Sequence, residues 1–198
     1  MFRFFESIRI EDGKPWNLPY HDQRIARTIK DLYGSKPAWD LGTVLADSAI
    51  PDQGLHKCRV SYHQHNAEVE FERYTIRPVN ALKLVEADGI EYAYKYVHRT
   101  ELEKLLALRG QADDVLIVKN GLITDTTFAN VVLMDGSGDW YTPSDCLLKG
   151  TMRQSLLDSG RIVEMSIAVA DLRRFVKFKT INALRDWRIP ESEVSNID

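Results

Sequence analysis

Residues 113–135 read DDVLIVKNGLITDTTFANVVLMD. Two apolar runs flank Asn120-Gly121, the dipeptide that best suits a two-residue β-hairpin turn. Alternation along the second run would set Ile123 and Asp125 on one face. A carboxylate on an inward face needs a cationic or proton-donating partner. The alternative is an aspartate that faces outward or caps a turn.

Upstream, ALKLVEADGIEYAYKYV (81–97) is strand-like in its branched and aromatic content. It carries Lys95 among Tyr92, Ala93, Tyr94, Tyr96 and Val97. Thr100-x-x-Glu103 then reads as a capping box with Thr100 as N-cap. Leu102, Leu105 and Leu106 form the buried stripe of that helix, and Gly110 closes it. Downstream, GSGD (136–139) is a turn, and LLKGTMRQSLLDSG (147–160) is a loop entering a helix that Gly160 ends. RIVEMSI is a strand, ADLRRF a short helix and KFKTINAL a last strand.

The first half is read the same way. FFESIRI is a strand and EDGKP a turn. YHDQRIARTIKDLYG is a helix, with Ile25, Ile29 and Leu32 at helical spacing and Gly34 as its stop. One short helix fits residues 41–48. KCRVSYHQ and AEVEFERYTI form a hairpin turning at His65-Asn66. RPVN (77–80) is a hinge, which divides the chain into a small α/β domain over 1–80 and a C-terminal domain over 81–198. The class is α+β.

Composition excludes several functions. The 198 residues are 44% apolar and 28% charged, enough for a core without disulfides. A net charge of −3 with no basic run argues against nucleic-acid binding. Cys58 and Cys146 form no paired motif, so a reduced, cytoplasmic protein is expected. Arg3, Glu6 and Arg9 interrupt any signal-peptide core, and no apolar run spans a membrane. Nucleotide-binding, serine-hydrolase and zinc-protease motifs are absent. His63-x-His65 suits a solvated hairpin end better than a metal site.

Three features carry chemistry. Lys95 is either a snorkelling lysine on an edge strand or an amine desolvated by aromatic groups, suited to forming a Schiff base. Asp125 is the possible inward carboxylate. KGTMRQSLL opens a helix behind a glycine, with backbone N–H groups at Gly150, Thr151 and Met152 exposed to an anion. Together they match what pyridoxal phosphate requires: an amine for the aldehyde, a carboxylate for the ring nitrogen and a cradle for the phosphate.

The same residues resemble the class IV aminotransferases, the fold-type IV pyridoxal-phosphate enzymes. Within them the chain is most similar to 4-amino-4-deoxychorismate lyase. Lys95-Tyr-Val-His-Arg99 before TELEKLL looks like the lyase's lysine and arginine pair. GLITDTTFANVV looks like the family's acidic strand, with Asp125 at the acidic position and Asn130 five residues on. Thr142-Pro143 followed by Gly150-Thr-Met-Arg153 looks like its phosphate helix, and Asn182-Ala183-Leu184 like its C-terminal turn. FESIRIEDGKPWNLPYHDQRIART resembles its opening strand and helix, which carries His21 and Arg24.

The resemblance implies a fold-type IV architecture with a small N-terminal α/β domain and a larger, β-rich, pseudo-barrel C-terminal domain with helices. It implies that Lys95 forms the internal aldimine and shuttles protons, and that Asp125 pairs with the pyridine nitrogen. Arg24, the amides of Thr151 and Met152, and the turn at Asn182-Ala183 would hold the phosphate. The implied reaction is β-elimination of pyruvate from aminodeoxychorismate to give 4-aminobenzoate, a step of folate biosynthesis. The alternatives are transamination of a small, branched-chain or D-amino acid, and a catalytically reduced homodimer that binds the cofactor. A homodimer is implied in each case.

The sequence departs from the pattern in three ways. Asp125 stands where the family usually has glutamate, and Thr100 where aminotransferases place a tyrosine. The chain opens on the FET-like strand, ahead of which relatives carry a hairpin, and it is short over residues 35–56.

Overall fold

A computed structural model describes residues 3–198. The chain divides into two compact units. One runs to Ile76 and adds Tyr94–His98; the other comprises Arg77–Ala93 and Arg99–Asp198. The sequence suggests a single break at residue 80, and the structure groups residues 94–98, with Lys95, in the first unit instead. The cause is local: Phe5 N–H donates to the Lys95 carbonyl at 3.0 Å, Val97 N–H donates to the Arg3 carbonyl, and Tyr96 bridges to Phe4.

The first unit is built on β1 (Phe4–Glu11), β2 (Lys14–Pro15), β3 (Leu55–Tyr62) and β4 (Ala67–Arg73), in the antiparallel order β2-β1-β3-β4. Phe4, Ile8 and Ile10 lie on one face and meet Val60, Cys58 and the helix α1 (Leu18–Tyr33). That helix buries His21, Arg24, Ile25, Thr28 and Ile29. Leu32, expected in the stripe, is 40% exposed, and at the end of the helix Tyr33 packs against the core instead. Gly34 ends the helix in a left-handed conformation, its N–H returning to the Lys30 carbonyl. The short helix α2 (Leu41–Ala46) is capped by Asp40, which accepts the Thr43 N–H at 2.8 Å.

The second unit has β5 (Leu82–Glu86), α3 (Thr100–Ala107), β6 (Asp114–Lys119), β7 (Leu122–Thr126), β8 (Asn130–Asp135) and β9 (Trp140–Pro143). It continues through α4 (Thr151–Asp158), β10 (Val163–Met165), β11 (Phe175–Ile181) and β12 (Ser192–Glu193), with a 3-10 turn at Val169–Arg174. The sheet is mixed: β5 with β6 and β9 with β10 are parallel, and the remaining pairs are antiparallel. It branches at β8, which pairs with β7 at Asn130, with β9 at Leu133 and Met134, and with β11 over most of its length. Asn120 and Gly121 both take positive φ, 53° and 77°, so the hairpin closes as the sequence predicts.

Three local expectations are corrected. Residues 92–97 are not a strand: beyond β5 the chain is irregular, with one isolated bridge at Tyr96. Arg99, not Thr100, is the N-cap of α3, and no side chain caps it. Thr100 is the first helical residue, so its hydroxyl cannot serve the N-cap geometry. The helix stops at Ala107, short of Gly110, which takes a left-handed φ of 61° beyond it. No helix of the described residues is long and apolar enough to cross a membrane.

Candidate active site

In the first unit, β1 points Glu6 inward at α1. The carboxylate is fully enclosed. Its Oε1 accepts from Arg24 Nε at 2.9 Å, and its Oε2 accepts from the same guanidinium and from His21 Nδ1 at 2.7 Å. Burial opposes the charge on Glu6, but the Arg24 charge and the His21 hydrogen bond outweigh it and hold the carboxyl at about 2. Burial pushes the His21 imidazolium down, against the pull of Glu6. A neutral ring facing an acceptor-only carboxylate must carry its proton on Nδ1. Arg24 is thus locked by a bidentate ion pair before any ligand is considered.

Lys95 is half-buried, and its Nζ lies 4.6 Å from the centroid of the Phe5 ring. The sequence suggests that its aromatic neighbours are Tyr92, Tyr94 and Tyr96. Instead, Tyr94 and Tyr96 pack edge-on at 6.1 Å and join the first unit's core. The ring beneath the amine comes from β1. Arg59 of β3 lies over the same ring, its Cζ 4.0 Å from the centroid.

In the second unit, Asp125 on β7 is inward and 5% exposed. Its Oδ1 accepts from Asn130 Nδ2 at 2.7 Å, and its Oδ2 from the Leu148 N–H at 2.9 Å. Burial pushes the carboxyl up to about 6, although both hydrogen bonds and Arg153 favour the charge. Asn130 also donates to the Leu148 carbonyl at 2.9 Å, so one carboxamide ties Asp125 to the loop before α4. Gly150, the N-cap, has no room for a side chain: a Cβ there would overlap Asn130 Oδ1. With no side chain capping α4, the N–H groups of Thr151 and Met152 open the helix, and both residues are buried. Arg153 of the same helix is spent on the Pro143 carbonyl at 2.9 Å and on Glu164.

Asn182 builds a tight turn rather than offering its side chain. Its Oδ1 accepts the N–H groups of Leu184 and Arg185 at 2.9 and 3.0 Å, and its Nδ2 donates to the Phe128 carbonyl at 3.2 Å. Ala183 sits at the tip of that turn, half-buried. His63 and His65 face each other edge-on at 5.9 Å, and the His65 N–H donates to His63 Nδ1. Among the described residues no cluster of three or more His, Cys, Asp or Glu could hold a metal.

Sequence reasoning brings out Lys95, Asp125 and the α4 start, but it misses Glu6, Phe5 and Arg59. Alternation along β1 and β3 was the available signal. The register that sets Ser7 against Arg59 and Phe5 against Ser61 is not written in either strand.

The family model described as amino-transferase class IV matches residues 3–190. A crystal structure from Haemophilus somnus, provisionally named a 4-amino-4-deoxychorismate lyase, is 31% identical with a TM-score of 0.89, covering 94% of this chain and 98% of that one. An uncharacterized protein of Haemophilus influenzae is 34% identical over 187 residues, 93% of this chain and 98% of its own. A hypothetical aminotransferase of Mycobacterium tuberculosis in a PLP-bound form shares the fold at 18% identity, with a TM-score of 0.74 over 100% of this chain and 81% of that one.

Proposed function

Because the chain belongs to the class IV aminotransferase family, we propose that it is a pyridoxal-phosphate enzyme that eliminates pyruvate from 4-amino-4-deoxychorismate and leaves 4-aminobenzoate. The observation that carries the cofactor reading is the Asp125 carboxylate, buried yet held by two protein donors in the same unit as an uncapped helix N-terminus. The lyase branch rests on the likeness to the Haemophilus somnus protein across nearly the whole of both chains.

The residues present fit the group. An acceptor-only carboxylate suits a protonated ring nitrogen, and a helix N-terminus that no side chain caps suits a phosphate. When bound, pyridoxal phosphate supplies a conjugated ring that withdraws electrons from the carbon bearing the substrate's amine. In this reading Lys95 Nζ is the covalent holder, and once released it takes the proton from that carbon. Asp125 keeps the ring nitrogen protonated. In the same reading Arg24, kept in place by Glu6, the Thr151 and Met152 amides and the turn at Asn182-Ala183 would hold the phosphate. Asn130 orients Asp125 rather than touching the reaction. The enzyme would work as a homodimer in a reducing cytoplasm, where Cys58 and Cys146 stay as free thiols.

Purified protein incubated with pyridoxal phosphate and 4-amino-4-deoxychorismate is expected to release pyruvate and 4-aminobenzoate in equal amounts. Turnover only in the presence of a keto acid would make it a transaminase. Absence of any absorbance band or borohydride-trapped adduct with the cofactor would remove the enzyme reading. Light scattering on the eluted protein gives the oligomeric state.

A further inference from the structure

Thr127, Phe128 and Ala129 join β7 to β8, between Asp125 and Asn130. Every backbone polar group of these three residues is bonded. The Thr127 N–H donates to Asp114 at 3.2 Å, and its carbonyl accepts from Arg99. The Phe128 N–H donates to Thr126 Oγ1 at 3.5 Å, and its carbonyl accepts from Asn182 Nδ2 at 3.2 Å. Ala129 closes on Thr126 through both its N–H and its carbonyl. Asp114, enclosed at the start of β6, also accepts the Thr127 hydroxyl at 2.7 Å. A turn paired this completely holds one shape. Thr127 and Ala129 are buried in it, yet Phe128 is 37% exposed. Among the described residues no other Phe, Tyr or Trp is exposed. The Arg185 Cζ lies 5.9 Å from the ring centroid, and its Nε and Nη1 are already committed to the Thr180 and Arg77 carbonyls. A phenyl ring kept in water at a fixed place favours a ligand that covers it. A flat, unsaturated ring covers it best, because aromatic rings stack offset or meet edge to face. The turn begins beside Asp125 and is tied to Asn182, so the exposed ring stands with the residues assigned above to the cofactor.

We propose that Phe128 is the surface on which the unsaturated ring of the substrate stacks, and that the enzyme therefore selects amines carried on a flat ring. This rests on the reading of Asp125 and the Asn182 turn as cofactor-binding. Phe128 acts on specificity, through binding, and not on proton transfer.

The probes are benzamide and cyclohexanecarboxamide, titrated calorimetrically into the cofactor-loaded protein. They share an uncharged amide and differ in a flat against a puckered ring. A merely apolar pocket favours the saturated ring, which is the more hydrophobic of the two. Wild type is expected to favour benzamide by about 2- to 10-fold. Phe128→Leu keeps apolar bulk without an aromatic face and should lose that preference. Phe128→Tyr keeps the face and should retain it. KM for 4-amino-4-deoxychorismate should rise in Phe128→Leu by a similar factor, with kcat moving less, and return in Phe128→Tyr. An equal preference in wild type and Phe128→Leu overturns the proposal. So does a loss of cofactor affinity in that variant with the preference intact, which would assign the ring to the cofactor. Weaker self-association with the preference intact overturns it too, and would assign the ring to a contact between copies of the chain. Borohydride trapping at Lys95 is read in parallel. A trapped adduct in a wild type without ring preference sinks Phe128 alone. An untrapped wild type sinks the cofactor reading, and the titration of the same protein still decides Phe128.

Discussion

Phe5 and Lys95, far apart in the chain, are joined twice: the Phe5 N–H donates to the Lys95 carbonyl at 3.0 Å, and the Lys95 amine lies 4.6 Å from the centre of the Phe5 ring. The backbone bond sets where the lysine leaves the chain, and the ring sets where its charge rests. The amine is therefore directed by the sheet of the first unit and not by its tyrosine neighbours. Lys95→Ala should abolish the borohydride-stable adduct and lower the melting temperature by only a few degrees, since a half-buried cation–π contact is worth about 1–2 kcal/mol. Peptide mapping by mass spectrometry after reduction checks this. An adduct that persists in the variant would assign attachment to another lysine.

Glu6→Gln should destabilise the fold by about 3–5 kcal/mol, because it leaves the Arg24 charge buried without its counter-ion. The pH dependence has a definite sign. Glu6 titrates at about 2 in the fold against 4.5 ordinarily, so its contribution is complete above 4.5 and is lost as pH falls from there toward 2. His21, held neutral by burial, costs stability as pH falls below 6.5, where the unfolded chain takes up a proton that the fold refuses. Urea denaturation of wild type and variant between pH 3 and pH 7 (on the order of the range set by these groups) should show the gap closing at the acid end. A constant gap would mean that the carboxylate is not the group responsible.

Asp125→Asn should retain cofactor binding and reduce turnover by roughly 100-fold or more, as expected when a preorganised charge is removed. Both Asp125 oxygens accept protein N–H groups, so the new amide must oppose either Leu148 or Asn130, costing about 1–3 kcal/mol of stability. Wild-type cofactor affinity should fall as pH drops through about 6, where the carboxyl takes its proton and can no longer pair with a protonated ring. The variant should lack that limb. Fluorescence titration of the apoprotein across pH tests both statements.

Gly150→Ala should lower cofactor affinity and cost about 1–3 kcal/mol, because the added methyl would displace Asn130 and with it the brace on Asp125 and Leu148. Gly89→Ala is the control, since a Cβ there meets nothing within 4 Å. Melting curves and cofactor titrations of the two variants should separate. Equal behaviour would show that the loop yields without loss.

Much of the fold is written locally. Asn120-Gly121 demands positive φ at two successive residues and closes a hairpin wherever it stands between apolar runs. Gly34 ends α1 for the same conformational reason. Thr100 shows the limit: its spacing to Glu103 fits a capping box, but the helix starts one residue earlier than that box requires. Residues 92–97 are aromatic enough for a strand, yet of these only Tyr96 finds a bridge, to Phe4.

The amino-acid order alone determined the α+β class, most of its helices and hairpins, and the candidates Lys95, Asp125, Thr151 and Met152, since these follow from spacing, turn chemistry and helix ends. Tertiary structure alone decided that Glu6 clamps Arg24 and His21, that Asn130 braces Asp125 against the α4 loop, and that Arg59 and Lys95 share the Phe5 ring. Those pairings depend on cross-strand register and on burial. Neither exists until distant segments are packed together and water is excluded from between them.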